Sequence, residues 1–188
     1  MNSDIDRAVD ALRRKETIIY PTDTVWGIGC DATDVGAVSR VYALKKRDDS
    51  KALIVLVPDM ESLLCYTTSG RAIIQSVLDM SAGRPTTLVL PSAGGLAPNL
   101  LAADGTVALR ITGEEFSRNL CLAFGKPLVS TSANISGRPG AAVFADIEAE
   151  LLDKAGYVCR SRRDETSAPQ PSRIVKINSD GTTTIIRP

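Results

Sequence analysis

The run of six apolar residues from Ala52 to Val57 is the sequence feature that most constrains the fold of this chain. A strand whose side chains are all apolar, instead of alternating with polar ones, is covered on both faces. The run stops at Pro58 and is the longest apolar run in the sequence, far short of the roughly 20 residues that cross a bilayer. The chain is therefore predicted to bury a sheet between layers of helices, with no membrane span.

Helical and strand patterns alternate through most of the chain, which is typical of an α/β domain. Ile5, Ala8 and Leu12 recur at helical spacing behind a Ser3–Asp6 capping pattern. The predicted helices cover residues 3–15, 35–46, 73–78, 114–124 and 145–154, and the predicted strands cover 17–20, 52–57, 87–90, 107–110 and 128–131. Residues 172–177 and 183–187 are predicted to form a closing hairpin. We therefore expect a single domain over residues 1–188, a three-layer α/β fold with a mixed open sheet and helices on both faces.

The composition excludes several kinds of chemistry. The chain contains no histidine, which rules out a Ser-His-Asp triad, a Cys-His dyad and a histidine-bound zinc ion. Its four cysteines lie far apart without a C-x-x-C pair, and they are predicted to be reduced, mostly buried thiols. Lysine plus arginine and aspartate plus glutamate both number 22, so no net field draws the chain to nucleic acid or a membrane surface. The acidic N-terminus is unlike a signal peptide, which predicts a cytoplasmic protein.

Three segments carry residues suited to binding a nucleotide or another anion. The first is PTDTVWGIG at residues 21–29, which combines hydroxyls, a carboxylate and two glycines after a predicted strand. The second is the basic cluster Lys45-Lys46-Arg47 with Lys51, where arginine would make forked hydrogen bonds to a polyphosphate. The third is STSANISG at residues 130–137, which places four hydroxyls and an amide after an apolar strand.

Each of these segments also has a purely structural explanation. The first suits a strand-turn-strand, the second matches the preference of cations for a helix C-terminus, and the third suits a polar turn that caps a helix. The residues alone leave these alternatives open. No Walker A sequence is present, because Gly125-Lys126 lacks the upstream glycine and the following hydroxyl. A nucleotide would therefore bind by another architecture.

Together and in this order, the three segments resemble the signatures of the YrdC/TsaC family of L-threonylcarbamoyladenylate synthases, in its short single-domain form. TVALR at residues 106–110, Pro171-Ser172 and the terminal Ile-Arg-Pro add lesser matches. The resemblance implies a twisted mixed sheet with a basic concave cavity. It also implies that threonine, bicarbonate or CO2 and ATP give threonylcarbamoyl-AMP and pyrophosphate. Downstream threonylcarbamoyl-transfer proteins would then use the product for N6-threonylcarbamoyladenosine modification of tRNA.

The resemblance also implies residue roles at the matching positions. Threonine would be held by Thr24, Arg110, Ser130 and Ser172, and the forked guanidinium of Arg110 suits its planar carboxylate. The positions matched to ATP are Arg47, Lys51, Thr106, Ser132, Gly140 and Arg187. The catalytic set is Lys45, Arg47, Ser132 and Asn134, with Lys45 adding charge over the phosphates. Mg²⁺ would be held mainly by ATP and water, so no protein ligand to the metal is predicted.

Residues 160–171 form a stretch rich in Arg, Ser and Pro that is long for a loop. Within it, residues 160–170 depart from the family pattern because they lack its Gly-Gly. Trp26 stands where the family has tyrosine or phenylalanine, and GRPT at residues 83–86 replaces its Trp-Pro-Gly-Pro. Two other functions stay open. One is an RNA-binding module of the same fold without catalysis, which the 4% aromatic content disfavours. The other is a relative that carbamoylates a different acceptor. The oligomeric state does not follow from these patterns.

Overall fold

The computed structural model describes residues 3–46, 53–166, 170–178 and 180–188. The helices in these ranges are α1 Asp4–Arg13, α2 Val35–Leu44, α3 Met60–Leu64, α4 Arg71–Asp79, α5 Glu115–Phe124 and α6 Ala149–Lys154. The strands are β1 Ile18–Tyr20, β2 Gly27–Gly29, β3 Ile54–Val57, β4 Thr86–Pro91, β5 Thr106–Ile111, β6 Leu128–Ser132, β7 Tyr157–Val158, β8 Arg173–Ile177 and β9 Thr183–Arg187. Two short 3-10 turns span Pro98–Leu100 and Phe144–Asp146. None of these helices is long and apolar enough to cross a membrane.

All nine strands belong to one sheet in the order β7-β1-β2-β6-β3-β5-β4-β8-β9. The pairs β1–β7, β3–β5 and β4–β8 are parallel, and the other neighbours are antiparallel. The closing hairpin, β8 with β9, forms one edge of this sheet beside β4. The predicted α/β fold with a mixed sheet is therefore confirmed.

Strand β3 shows that both faces of the sheet are covered. Val55 and Val57 belong to an apolar cluster with residues of α2, α3, α4 and α6, whereas Leu56 belongs to a second cluster with residues of α1 and α5. Successive side chains of a strand point to opposite faces, so the two clusters are two helical layers. The apolar run therefore predicted a strand covered on both sides correctly, although Ala52 lies outside the described residues.

Helix α1 forms as its sequence predicts. The Ser3 hydroxyl accepts from the Asp6 N–H at 3.1 Å, and the Asp6 carboxylate accepts from the Ser3 N–H at 2.9 Å. This reciprocal capping box satisfies donors that the first turn would otherwise leave unpaired. The buried face of the helix, which includes Ala8 and Leu12, packs against α5.

The predicted helix over residues 145–154 is wrong in its first half. The chain forms a 3-10 turn there, continues through an extended and buried Ile147, and begins α6 only after Glu148. Burial of Ile147 in the core outweighs the weak helical preference of these residues. Strand β2, with the sequence Gly-Ile-Gly, agrees with the strand-turn-strand alternative for residues 21–29, and β1 and β6 pair with it on both sides.

All four cysteines are free thiols, as predicted. Cys30, Cys121 and Cys159 are buried, and Cys65 is exposed. Burial raises the pKa of the Cys121 thiol to about 12, so this group stays protonated at neutral pH. The three buried thiols therefore act as small apolar core residues rather than as nucleophiles.

Candidate functional site

One face of the sheet collects polar residues from separate segments of the chain. Leu56 of β3 is in register with Arg110 of β5 on one side and with Leu128 of β6 on the other. Side chains two residues apart along a strand share a face, so Ser130 and Ser132 lie on the same face as Arg110. At Leu56 and Leu128 this face is covered by α1 and α5. The fold therefore brings the 130–137 segment and β5 onto one surface.

Arg110 is a buried cation with one carboxylate beside it. The residue is 2% exposed, and its Nη2 lies 2.9 Å from Oδ1 of Asp23. Asp23 Oδ1 and Arg110 Nε have no hydrogen-bond partner among the described residues. Burial lowers the pKa of Arg110, and the Asp23 charge opposes that shift. The guanidinium therefore keeps its Nε donor for an anion. The sequence pattern assigned no role of its own to Asp23.

Thr24 reaches the same guanidinium from the turn between β1 and β2. Its Oγ1 lies 3.5 Å from Arg110 Nη2 and 3.2 Å from Thr22 Oγ1. The Thr22 hydroxyl closes the turn, since it donates to the Val25 carbonyl at 2.7 Å and accepts from the Thr24 N–H at 3.2 Å. The 21–29 segment is thus a strand-turn-strand that also delivers a hydroxyl and a carboxylate to Arg110.

Gly27 and Gly29 let atoms of the neighbouring strands β1 and β6 approach β2 closely. A Cβ on Gly27 would lie 3.3 Å from Ser130 Oγ. A Cβ on Gly29 would lie 2.4 Å from the Val129 carbonyl oxygen and 2.6 Å from Tyr20 Cε1. The two glycines of the segment are therefore needed for packing between β1, β2 and β6.

Ser172 and Arg187 join the site from the closing hairpin and the residue before it. Ser172 is buried, and its Oγ lies 2.9 Å from Thr87 Oγ1. Arg187 donates to the Ser172 carbonyl from Nε at 2.8 Å and to its hydroxyl from Nη2 at 3.1 Å. Burial lowers the pKa of Arg187, and the positive charges of Arg110 and Arg84 lower it further. Ser172 and Arg187 therefore lie together, within electrostatic reach of Arg110.

A second cluster forms around the end of β6. Lys45 is buried at the end of α2, and its Nζ donates to the Ser132 carbonyl and, at 2.7 Å, to the Asn134 carbonyl. The Asn134 amide donates to the Arg138 carbonyl at 2.6 Å, and its Oδ1 accepts from Ser132 Oγ. A Cβ on Gly140 would lie 3.5 Å from Ser132 Cβ. Four predicted ATP-site or catalytic residues are thus neighbours, with the Lys45 ammonium bonded to the main chain of the 132–134 loop.

Four predicted ATP-binding residues are not placed in this cluster, and one of them, Arg187, lies beside Ser172 instead. The Thr106 hydroxyl donates to Asp104 Oδ1 at 2.6 Å, and the same carboxylate pairs with Lys176 at 2.6 Å. Thr106 begins β5, four residues before Arg110 and roughly 13 Å away by the rise of a strand. Arg47 and Lys51 lie outside the described residues, so the basic clamp stays a prediction.

Arg162, in the stretch that follows β7, contacts the turn between β1 and β2. Arg162 donates to the Thr22 carbonyl at 3.2 Å and pairs with Glu114 Oε1 at 3.2 Å. Asp4 of α1 anchors the start of this stretch, because its carboxylate accepts from the Arg160 N–H at 2.8 Å. The sequence marked the stretch only by its composition, and no local pattern connects it with residue 4 or residue 114.

Comparison with known proteins finds one family over nearly the whole chain. The model of the Sua5/YciO/YrdC family, described as telomere recombination, matches residues 10–188. A threonylcarbamoyl-AMP synthase of Chromohalobacter salexigens is 42% identical over 158 residues, which cover 80% of this chain and 85% of that protein. A threonylcarbamoyl-AMP synthase of Pseudoalteromonas translucida is 35% identical over 157 residues, which cover 82% of this chain and 84% of that protein.

Solved structures share the fold. A variant of Sua5 from P. abyssi superimposes with a TM-score of 0.88 at 24% identity, covering 100% of this chain and 57% of that protein. P. abyssi Sua5 in complex with L-threonine gives a TM-score of 0.82 at 22% identity, and this chain spans 55% of its length. YciO from E. coli gives a TM-score of 0.84 at 21% identity, covering 97% of this chain and 87% of that one. At these identities the likeness establishes the fold alone.

Proposed function

This chain belongs to the Sua5/YciO/YrdC family, and on that premise we infer that it is a threonylcarbamoyl-AMP synthase. The predicted family is thereby confirmed. The enzyme is a nucleotidyltransferase that uses threonine and ATP and serves tRNA modification. The alternative of an RNA-binding module without catalysis has no support among relatives named as synthases.

We propose that threonine binds at the Arg110 end of the polar face. The support is the burial of this guanidinium together with its Nε donor, which no described acceptor uses. Hydrogen bonds to a charged donor are strengthened in such a poorly solvated place. Thr24, Ser130 and Ser172 would supply neutral hydroxyls around the substrate, and all three are buried close to this part of the sheet.

We propose that ATP lies over the second cluster. Ser132, Asn134 and Gly140 would line its phosphates, Arg187 would link them to the threonine site, and Arg47, Lys51 and Thr106 would complete the binding set. The hydrogen bonds of Lys45 to loop carbonyls support a role in holding this loop, instead of a direct contact with phosphate. A buried ammonium in this position also adds positive potential beneath the nucleotide.

The proposed reaction uses position and charge more than proton transfer by the protein. The neutral amine of threonine adds to CO2, supplied as such or by bicarbonate, and loses a proton to give a carbamate. A carbamate oxygen then attacks the α-phosphorus of ATP, and the bond to pyrophosphate breaks. Mg²⁺ would be held mainly by the phosphates of ATP and by water, which suits an ion that keeps several of its waters.

The wider setting of this reaction is also proposed. Downstream threonylcarbamoyl-transfer proteins would take the product to tRNA, and residues 1–188 would act as a single domain. The free thiols support a reducing compartment, which fits a cytoplasmic enzyme.

The observation that carries this function is the buried, partly unpaired Arg110 in a chain 42% identical to a named synthase. Pyrophosphate release from Mg-ATP by the purified chain tests it, with threonine and bicarbonate left out in turn. We expect release only when both are present. Arg110→Gln should abolish it, whereas Arg71→Gln, a change at an exposed arginine paired with Glu61, should not. Release without threonine, or nucleotide binding without turnover, would contradict the synthase.

A further inference from the structure

We propose that Asp23 makes the threonine site selective for a zwitterionic amino acid over a hydroxy acid that lacks the amino group. The inference rests on the proposed function, since it takes Arg110 as the group that binds the substrate carboxylate. No other acidic side chain of the described ranges forms an ion pair with Arg110. Asp23 is therefore the negative charge that a substrate meets when it reaches this guanidinium.

The geometry leaves Asp23 available to the substrate. Its Oδ1 lies 2.9 Å from Arg110 Nη2 and has no hydrogen-bond partner among the described residues, and the Nε donor of the guanidinium is also without one. The Asp23 side chain is 10% exposed. Glu114 lines the same cleft, but its two carboxylate oxygens accept from the N–H groups of Phe116 and Ser117 at 2.9 and 2.7 Å. Both carboxylate oxygens of Glu114 therefore cap α5, whereas Asp23 Oδ1 has no hydrogen-bond partner among the described residues.

The sign of the effect follows from the charges. A carboxylate held by Arg110 lies within about 6 Å of the Asp23 charge, where two unit charges interact by more than thermal energy even in a high dielectric. A simple carboxylate is therefore repelled by Asp23. Threonine carries an ammonium group on the next carbon, and its attraction to Asp23 offsets that repulsion. Removing the Asp23 charge should therefore strengthen binding of the amino-free acid relative to binding of threonine.

Calorimetric binding of threonine and of 3-hydroxybutanoate, which is threonine without its amino group, tests this prediction. Both titrations use the full chain without ATP or bicarbonate. We expect Asp23→Asn to lower the preference for threonine by roughly tenfold or more. Asp23→Glu keeps the charge and should keep the preference. Glu61→Gln, which removes an exposed carboxylate on α3, is the control and should leave both affinities unchanged.

The ratio of the two affinities separates selectivity from a merely structural role. Equal losses for both ligands in Asp23→Asn would mean that Asp23 only orients Arg110, and this result would overturn the inference. Asp23→Ser removes the same charge with a smaller side chain and gives an independent measurement where the amide variant does not fold. If the wild type binds threonine and the ratio of the two affinities is the same in Asp23→Asn, this inference alone is overturned. A wild-type protein that binds neither ligand overturns the proposed function as well.

Discussion

Replacing Gly29 with alanine tests the packing that holds the 21–29 segment against β6. The new Cβ would lie 2.4 Å from the Val129 carbonyl oxygen and 2.6 Å from Tyr20 Cε1. Relief of these contacts needs a shift on the order of 1 Å in a buried strand. The same carbonyl accepts a hydrogen bond from the Tyr20 hydroxyl at 3.1 Å, so the shift also breaks a buried bond. Overpacking costs about 1–3 kcal/mol and the lost bond about 1 kcal/mol. We expect the free energy of unfolding to fall by about 3 kcal/mol.

Urea unfolding followed by the fluorescence of Trp26, the single tryptophan, measures this change. In a separate thermal unfolding experiment, the melting temperature should fall by roughly 6–12 °C for a chain of this size. Gly70→Ala is the matched control, because Gly70 has φ −71° and no atom lies within 4 Å of the added Cβ. Its effect should stay within about 1 kcal/mol. Equal unfolding free energies for the two variants would refute the packing argument.

Three further changes test the site and its anchors. Arg47→Ala should weaken ATP binding by roughly 10- to 150-fold, since charge-assisted hydrogen bonds contribute about 1.5–3 kcal/mol, and wild-type affinity in calorimetry would refute the clamp. Lys45→Met leaves buried carbonyls of the 132–134 loop without their donor, so urea unfolding should show a loss of about 2 kcal/mol as well as slower turnover. Slower turnover at unchanged stability would instead place this ammonium on the phosphates. Burial raises the pKa of Asp4, but hydrogen bonds from Arg160, Tyr157 and Ser161 outweigh it and hold that pKa below the ordinary 3.8. The melting-temperature gap between wild type and Asp4→Asn should therefore be full at neutral pH and close as the pH falls below about 3.8. A gap that stays constant from pH 7 to pH 2 in scanning calorimetry would contradict this role.

Local patterns predicted much of the fold because they act within one element. The Ser3–Asp6 capping box and the apolar spacing behind it are short-range features, and α1 forms where they place it. Residues 145–154 show the limit, since Ile147 enters the core in an extended conformation that no helical spacing reveals. The strand-turn-strand at residues 21–29 was one of two alternatives, and the pairing of β2 with β1 and β6 shows that it forms.

The candidate site was likewise predicted only in part from the sequence. The sequence by itself determined the family, the substrates that go with it and the residue types of three polar segments, because these depend on residue order alone. It could not show that the Lys45 ammonium is bonded to the 132–134 loop, that Asp23 pairs with Arg110, or that Asp4 anchors residues 160 and 161. These contacts join residues 87 to 157 positions apart. Only the tertiary structure decided them, since strand register and helix packing bring such distant groups within hydrogen-bond range.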